Sequence, residues 1–323
     1  MEDDDALIFE FSQMDVSNKP VILSTSLIHE IFEYIHRDFK MIIHREGSSD
    51  EERMKKLSIE MIMRSGLCEY FKDGVLFCDT FEGQICNEAA RIGHLDCLTW
   101  AREYDCYWNS STSYYAAAGG HLDCLIWAQE NGCDWNSETC SAAAGGGHLD
   151  CLIWAREHGC DWDSSTCETA AEGGHLNCLI WARDNGCDWN SETCSAASRG
   201  GHLNCLIWAR EHGCEWNSET CGFAALQGHL DCLIWAREHG CDWDRWICES
   251  AAGVGHLGCL IWAREHGCDW NSDTCYYAAK GGHLDCLIWA REHGCDWKPV
   301  QCRDLAHRHH HQHILDWMTD IGF

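Results

Sequence analysis

The tripeptide Gly-His-Leu recurs along this chain with its histidine at His94, His121, His148, His175, His202, His229, His256 and His283, every step being 27 residues. Trp100, Trp127, Trp154, Trp181, Trp208, Trp235, Trp262 and Trp289 keep the same step, as do Trp108, Trp135 and their successors to Trp297. A period this strict over eight units excludes a mixed globular fold. It leaves a stacked array, in which each unit is one short motif that buries its apolar face only against the next.

Residues 136–162 serve as the type unit. Asn136-Ser137-Glu138-Thr139 predicts a helix start, with Asn136 or Ser137 as N-cap and Glu138 near the positive end of the helix dipole. Cys140, Ala143 and Ala144 form a small apolar stripe at helical spacing. Gly145-Gly146-Gly147 ends this first helix. His148 opens a second, Leu149 to Glu157, and Gly159 closes it as a C′ glycine. The second helix is apolar nearly all round, so it must lie between neighbours. The first is thin, and the tryptophans are expected to fill the volume it leaves. The only prolines are Pro20 and Pro299, so nothing interrupts these helices. The expected class is an all-α solenoid of helix-turn-helix repeats.

A net charge of −29 argues against nucleic-acid partners, whose phosphates demand Lys and Arg, and against anionic membrane surfaces. The start, Met1-Glu2-Asp3-Asp4-Asp5, lacks a signal peptide pattern. No apolar run approaches the roughly 18 residues that span a bilayer. The expectation is an intracellular protein in a reducing compartment, with its 26 cysteines as thiols.

Ala143-Ala144-Gly145-Gly146-Gly147-His148-Leu149-Asp150 and Gly159-Cys160-Asp161-Trp162-Asp163 resemble the two signature stretches of ankyrin repeats, and both recur in register from about residue 82 to 306. The short, Cys- and Trp-rich form resembles the ankyrin-like arrays of giant DNA viruses and some protists. The family repeat runs to about 33 residues. The missing stretch falls between Asn136 and Glu138, where the family carries its hairpin finger, so fingers should be absent or reduced. The family's Thr-Pro-Leu-His helix start is replaced by Glu138-Thr139-Cys140-Ser141. The resemblance implies an ankyrin-like solenoid that binds proteins and has no catalytic residues to carry over.

Units can be compared within the chain. The second helix is nearly constant, and differences concentrate in the first helix and its exit. Positions matching Ser141 and Ala142 hold Tyr114 and Tyr115, Glu168 and Thr169, Gly222 and Phe223, or Tyr276 and Tyr277. Positions matching Gly145 hold Glu172, Arg199, Leu226 and Lys280, and Trp246 stands where Glu138 does. Positions 141 and 145 are four apart and share a helical face, so these side chains should line one surface. Exposed aromatics and Arg are typical interface anchors, which makes this strip the candidate partner site.

Ile153 and its equivalents Ile126, Ile180, Ile207, Ile234, Ile261 and Ile288 fall where ankyrin repeats place an exposed polar residue. Exposed, they would form an apolar stripe for self-association. If the short unit packs tightly they are core, the reading favoured here. His148 and Cys151 lie three apart, but a zinc site needs about four ligands. The simpler roles are a histidine bonding backbone groups in the turn and cysteines acting as small hydrophobes. Cys and His recurring eightfold in one frame are the opposite of a unique nucleophile and base. No cofactor, metal or catalytic site is expected.

The expected organisation is a helical N-terminal segment over 1–66, the array over 67–306, and a C-terminal capping helix over 307–323. Leu27-Ile28-His29-Glu30-Ile31-Phe32 is faintly similar to the start of an F-box, a motif of ubiquitin-ligase receptors, though the Leu-Pro opening is missing. The leading function is a protein-binding scaffold. The alternatives are a ubiquitin-ligase substrate receptor and a structural virion or assembly protein.

Overall fold

The computed structural model describes residues 84–103 and 105–323, all within one compact unit. The N-terminal segment over 1–66, with its F-box-like stretch, and the start of the array over 67–83 lie outside the described residues. The helices come in pairs. In chain order these are α1 (Gln84–Ile92) with α2 (Leu95–Glu103), α3 (Ser110–Gly119) with α4 (Leu122–Glu130), and α5 (Ser137–Gly145) with α6 (Leu149–Glu157). Next come α7 (Ser164–Glu172) with α8 (Leu176–Asp184), α9 (Ser191–Gly200) with α10 (Leu203–Glu211), and α11 (Ser218–Gln227) with α12 (Leu230–Glu238). The last are α13 (Trp246–Val254) with α14 (Leu257–Glu265), α15 (Ser272–Gly281) with α16 (Leu284–Glu292), and α17 (Pro299–Arg308) with α18 (Gln312–Asp320). No strand occurs among the described residues, so the hairpin fingers of longer repeats have no counterpart there. The chain is an all-α solenoid of helix-turn-helix repeats.

Six of the first helices start where the sequence places them. Asn136 is extended, and its side chain accepts from the Glu138 amide at 3.1 Å. Asn109, Asp163, Asn190, Asn217 and Asn271 do the same in their units. Such a cap satisfies one of the four amides a helix start leaves unpaired. Gly159 closes the second helix with φ +87°, a conformation that glycine alone adopts without strain.

First helices stack closely on first helices, because Ala, Cys, Ser and Thr let backbones approach. Second helices touch their neighbours more lightly. Cys140, Ala143, Ala144, Cys151, Leu152, Ala155 and Cys160 are fully buried and form the core of one unit. The tryptophans do not fill that core. Trp154 and its equivalents from Trp127 to Trp289 are half-buried and meet the connector indole of the preceding unit edge-on, as in Trp135–Trp154 at 5.6 Å. The Ile153 positions settle on neither sequence expectation: every one is half-buried. The physical reason is the same for both. Second helices held apart by Leu cover only one flank of each neighbour.

The last pair departs from the rest. His310 replaces the usual glycine at φ +60°, and residues 307 and 308 finish α17 rather than open the final helix. Ile314 and Met318 are fully buried, while Trp297 meets Trp317 at 6.0 Å and Phe323 at 5.2 Å.

Candidate partner-binding surface

Two repeated joints fix the surface on which the variable residues sit. At the first, the histidine Nε2–H donates to a carbonyl of the preceding unit: His121 to Arg91 O at 3.1 Å and His229 to Arg199 O at 3.2 Å. His175 and His283 sit in the same way beside the backbone of Gly145 and Gly253. The ring lies over the left-handed glycine of that unit. A Cβ on Gly201, whose φ is +76°, would fall 2.4 Å from His229 Nδ1. The expected turn histidine is therefore a tie between units and not only within one.

The second joint is aromatic. Arg156 Nη1 donates to Cys160 O at 3.1 Å, and its guanidinium lies 4.6 Å from the Trp162 ring centroid. Trp162 then meets Trp181 of the next unit at 5.7 Å. Arg102, Arg183, Arg210, Arg237, Arg264 and Arg291 repeat the stacking.

The spacing argument joins positions 141 and 145. The contacts join 145 to position 142 of the following unit instead. Glu172 Oε1 pairs with Arg199 Nε at 3.0 Å. The Arg199 guanidinium lies 5.1 Å from the Phe223 ring, and Phe223 meets Trp246 edge-on at 6.4 Å. Four consecutive units are thereby linked by side chains that differ in every unit. Position 141 turns instead toward the next first helix, where Ser141 Oγ meets Ser165 Oγ at 2.6 Å. Position 141 is covered at Ser141, Ser195 and Gly222 and open at Tyr114, while position 142 is covered where it is Ala142, Ala196 or Ser250 and open where it is Tyr115 or Tyr277.

The other predicted residues form separate groups. Tyr114 and Tyr115 pack edge-on at 5.3 Å, as do Tyr276 and Tyr277. Lys280 Nζ lies 6.0 Å from the Tyr277 ring. Tyr114, Tyr115, Trp246 and Tyr277 are exposed, Tyr277 and Trp246 each at 39%. Glu168 Oε1 accepts from Ser164 Oγ at 3.0 Å and from Asn190 Nδ2 at 3.3 Å. Leu226 is half-buried at the exit of α11.

Sequence reasoning overlooked what surrounds Trp246. Its ring lies on Gly222 of the preceding unit, where a Cβ would stand 2.0 Å from the indole. The other units carry a side chain at the Gly222 position, from Asn87 and Tyr114 to Tyr276 and Arg303. The two departures therefore fit one another, and their adjacency in stacked units is the signal that could have found them. Beside the ring opens a cleft of about 860 Å³, lined by Asp244, Arg245, Trp246, Glu249, Asp269 and Trp270 among others. Arg245 Nε stands 3.6 Å from Glu249 Oε1. Burial, the Asp273 charge and, more weakly, Asp244 hold the Glu249 carboxyl above the usual carboxylate range, against the pull of Arg245.

The thiols face inward. Burial first, then the Asp150 charge, pushes Cys151 up to about 12. The hydrogen bond to Cys160, together with burial, pushes Cys140 up as well. Cys160 Sγ donates to Asn136 O at 3.2 Å. The side-chain hydrogen bond with Cys140 shifts Cys160 the opposite way, below the usual thiol range, against its own burial. Thiols held protonated, as Cys140 and Cys151 are, make poor nucleophiles. Cys97 differs, being disulfide-bonded. Among the described residues no three His, Cys, Asp or Glu side chains cluster as metal ligands, and no helix is long and apolar enough to cross a membrane.

No family model and no curated protein matches the chain. A solved structure similar to it is the human ASB11 ankyrin repeat domain, at 18% identity and a TM-score of 0.44, over 55% of this chain and 96% of that one. The regular stack of 27-residue helix-turn-helix repeats is consistent with the ankyrin-like reading of the sequence.

Proposed function

We propose that this chain is an interaction scaffold that docks a protein partner along the open side of its first helices. The observation that supports this reading is the linked row Glu172, Arg199, Phe223 and Trp246, which crosses four units with a different side chain in each. The joints behind the row repeat nearly unchanged. Uniform scaffolding with variation confined to one open strip is the arrangement that lets a repeat protein recognise one partner. Aromatic and arginine anchors are the side chains that dominate such interfaces. Tyr114, Tyr115, Tyr276, Tyr277 and Lys280 extend the strip at either end.

Residues borrowed from other units of the same array make the clean test. Ala occupies the Phe223 and Tyr277 positions at Ala142 and Ala196, so Phe223→Ala and Tyr277→Ala keep the unit plan. Crosslinking in the native cell followed by mass spectrometry identifies the partner, and the double variant should lose it with melting temperature nearly unchanged. Undiminished crosslinking by that variant removes the strip from the reading.

A further inference from the structure

The cleft beside Trp246 occurs at the unit that departs furthest from the common plan. Asn-Ser-Glu, which opens α5, α9 and α11, is replaced there by Asp244-Arg245-Trp246. The Asp244 side chain still accepts from the Trp246 amide, at 2.8 Å, so the helix start is kept while its outward residues change. Gly222 makes room for the indole in the unit before. Two substitutions in neighbouring units thus cooperate to place one large aromatic ring, 39% exposed, at the wall of an open cleft of about 860 Å³.

The charges around this cleft do not balance. Asp242, Asp244, Glu249 and Asp269 line it against Arg237 and Arg245. Arg237 is already engaged, donating to Cys241 O at 3.1 Å and stacking 4.6 Å from Trp243. Arg245 is 66% exposed and meets Glu249 only at 3.6 Å. Glu249 Oε1 is buried and, beyond that ion pair, accepts no hydrogen bond among the described residues. An aromatic wall, a buried carboxylate oxygen lacking a donor and a surplus of negative charge together describe a site complementary to a cation.

The array also shows which cation its indoles accept. In seven units a guanidinium lies over a connector tryptophan, between 4.3 and 5.2 Å from the ring centroid. A guanidinium can stack on an aromatic face and direct its donors at a carboxylate at the same time, which an ammonium cannot do as well. Among the described residues no guanidinium lies over Trp246, whose ring neighbours are Gly222 and Phe223.

We propose that this cleft is a subsite for an arginine side chain of the bound partner, seated against the Trp246 indole and hydrogen-bonded to the Glu249 carboxylate. The proposal rests on the scaffold reading above and assigns one anchor within it. It predicts a partner segment that is basic at this point, in keeping with a chain of net charge −29.

The test uses the full chain and a short fluorescein-labelled glycine-serine peptide carrying two central arginines, with the same peptide carrying citrulline as control. Citrulline keeps the shape and removes the charge. Binding is read by fluorescence anisotropy at physiological salt, where diffuse attraction is screened. The variants are Trp246→Ser and Glu249→Ser, which copy the residues at Ser111 and Ser141 in other units and so preserve the fold. Loss of one cation–π and one charge-assisted contact should weaken the arginine peptide roughly tenfold in each variant. The citrulline peptide should bind no better to the wild type than the arginine peptide binds to the variants. Equal binding of arginine and citrulline peptides, or full binding by the double variant, overturns the subsite. Partner crosslinking lost on Tyr277→Ala but kept in the double variant would leave the strip standing and remove the arginine pocket alone.

Discussion

Along the seam between units, His121 and His229 make one and the same bond to the unit before, and their rings and that of His175 rest on a glycine, whereas along the first helices Thr169, Phe223 and Tyr277 share a position and nothing else. The seam has a single geometric solution. A ring in van der Waals contact with a backbone at positive φ tolerates neither a Cβ below nor a different ring above. The open side has no such constraint, because a side chain there meets solvent or a partner. Stability and recognition are therefore carried by different residues of the same short unit, and each can be altered alone.

The sharpest break should come from the core behind both regions. Leu206 of α10 is fully buried, so Leu206→Ala should cost about 2–5 kcal/mol, read from the urea midpoint. A cost below this range would mean that the stack closes over the gap. The seam itself is tested by a pair of glycines. Gly201 (φ +76°) lies under His229, while nothing stands within 4 Å of a Cβ on Gly213 (φ +89°). Gly213→Ala should cost only the left-handed strain of about 1–2 kcal/mol, and Gly201→Ala about 3 kcal/mol once the His229 bond is lost. Equal costs would show that the histidine contributes nothing beyond filling space.

Acid probes the same seam more gently. Burial holds His175 and His283 below the ordinary histidine range, each next to other histidines of the column. The unfolded chain then binds more protons than the folded one as pH falls through about 6.5, so stability must drop on acidification. The urea midpoint at pH 5.5 should lie below that at pH 7.5. Glu192 and Glu249, held above the usual carboxylate range, act with the opposite sign: their contribution is lost as pH rises through their folded values. A midpoint unchanged across that interval would contradict the assignment of the histidines as neutral donors.

Smaller still is the effect of completing an incomplete joint. Gln129 stands where other units carry the stacking arginine, and its Oε1 is buried without a partner. Gln129→Arg should stabilise by about 0.5–1 kcal/mol through a cation–π contact on Trp135, visible as a higher melting temperature. On the open side, Tyr277→Ala should move stability by about 0.5 kcal/mol or less. Its effect belongs in partner capture, and a large loss of stability there would erase the distinction between the two regions.

The period made most of the architecture readable. Asn136, Gly159 and the small apolar stripe of Cys140, Ala143 and Ala144 follow from local rules of capping and helical spacing, and they stand where those rules put them. What local rules miss is the distance between stacked helices. That distance decides that Ile153 and Trp154 are only half covered, and that Arg199 reaches Phe223 rather than a residue of its own face. The accommodation of Trp246 by Gly222 is equally invisible along the chain, because it joins residues 24 positions apart through a contact between units.

The histidine seam has one further consequence. Because the histidine joint recurs along the array, a whole period can be removed without creating a new kind of junction in the chain. Excising 190–216 leaves Trp189 followed by Asn217, a junction the chain already uses between Trp216 and Asn217. Such a shortened chain should fold, with a melting temperature lowered by the loss of one unit and one interface. It would also bring the Trp246 cleft one step nearer to Tyr114 and Tyr115. Gain and loss of entire periods thus provide a way to change the spacing between anchors, and with it the length of partner that fits: this excision removes Arg199 but keeps the Trp246 cleft and the Tyr114–Tyr115 pair.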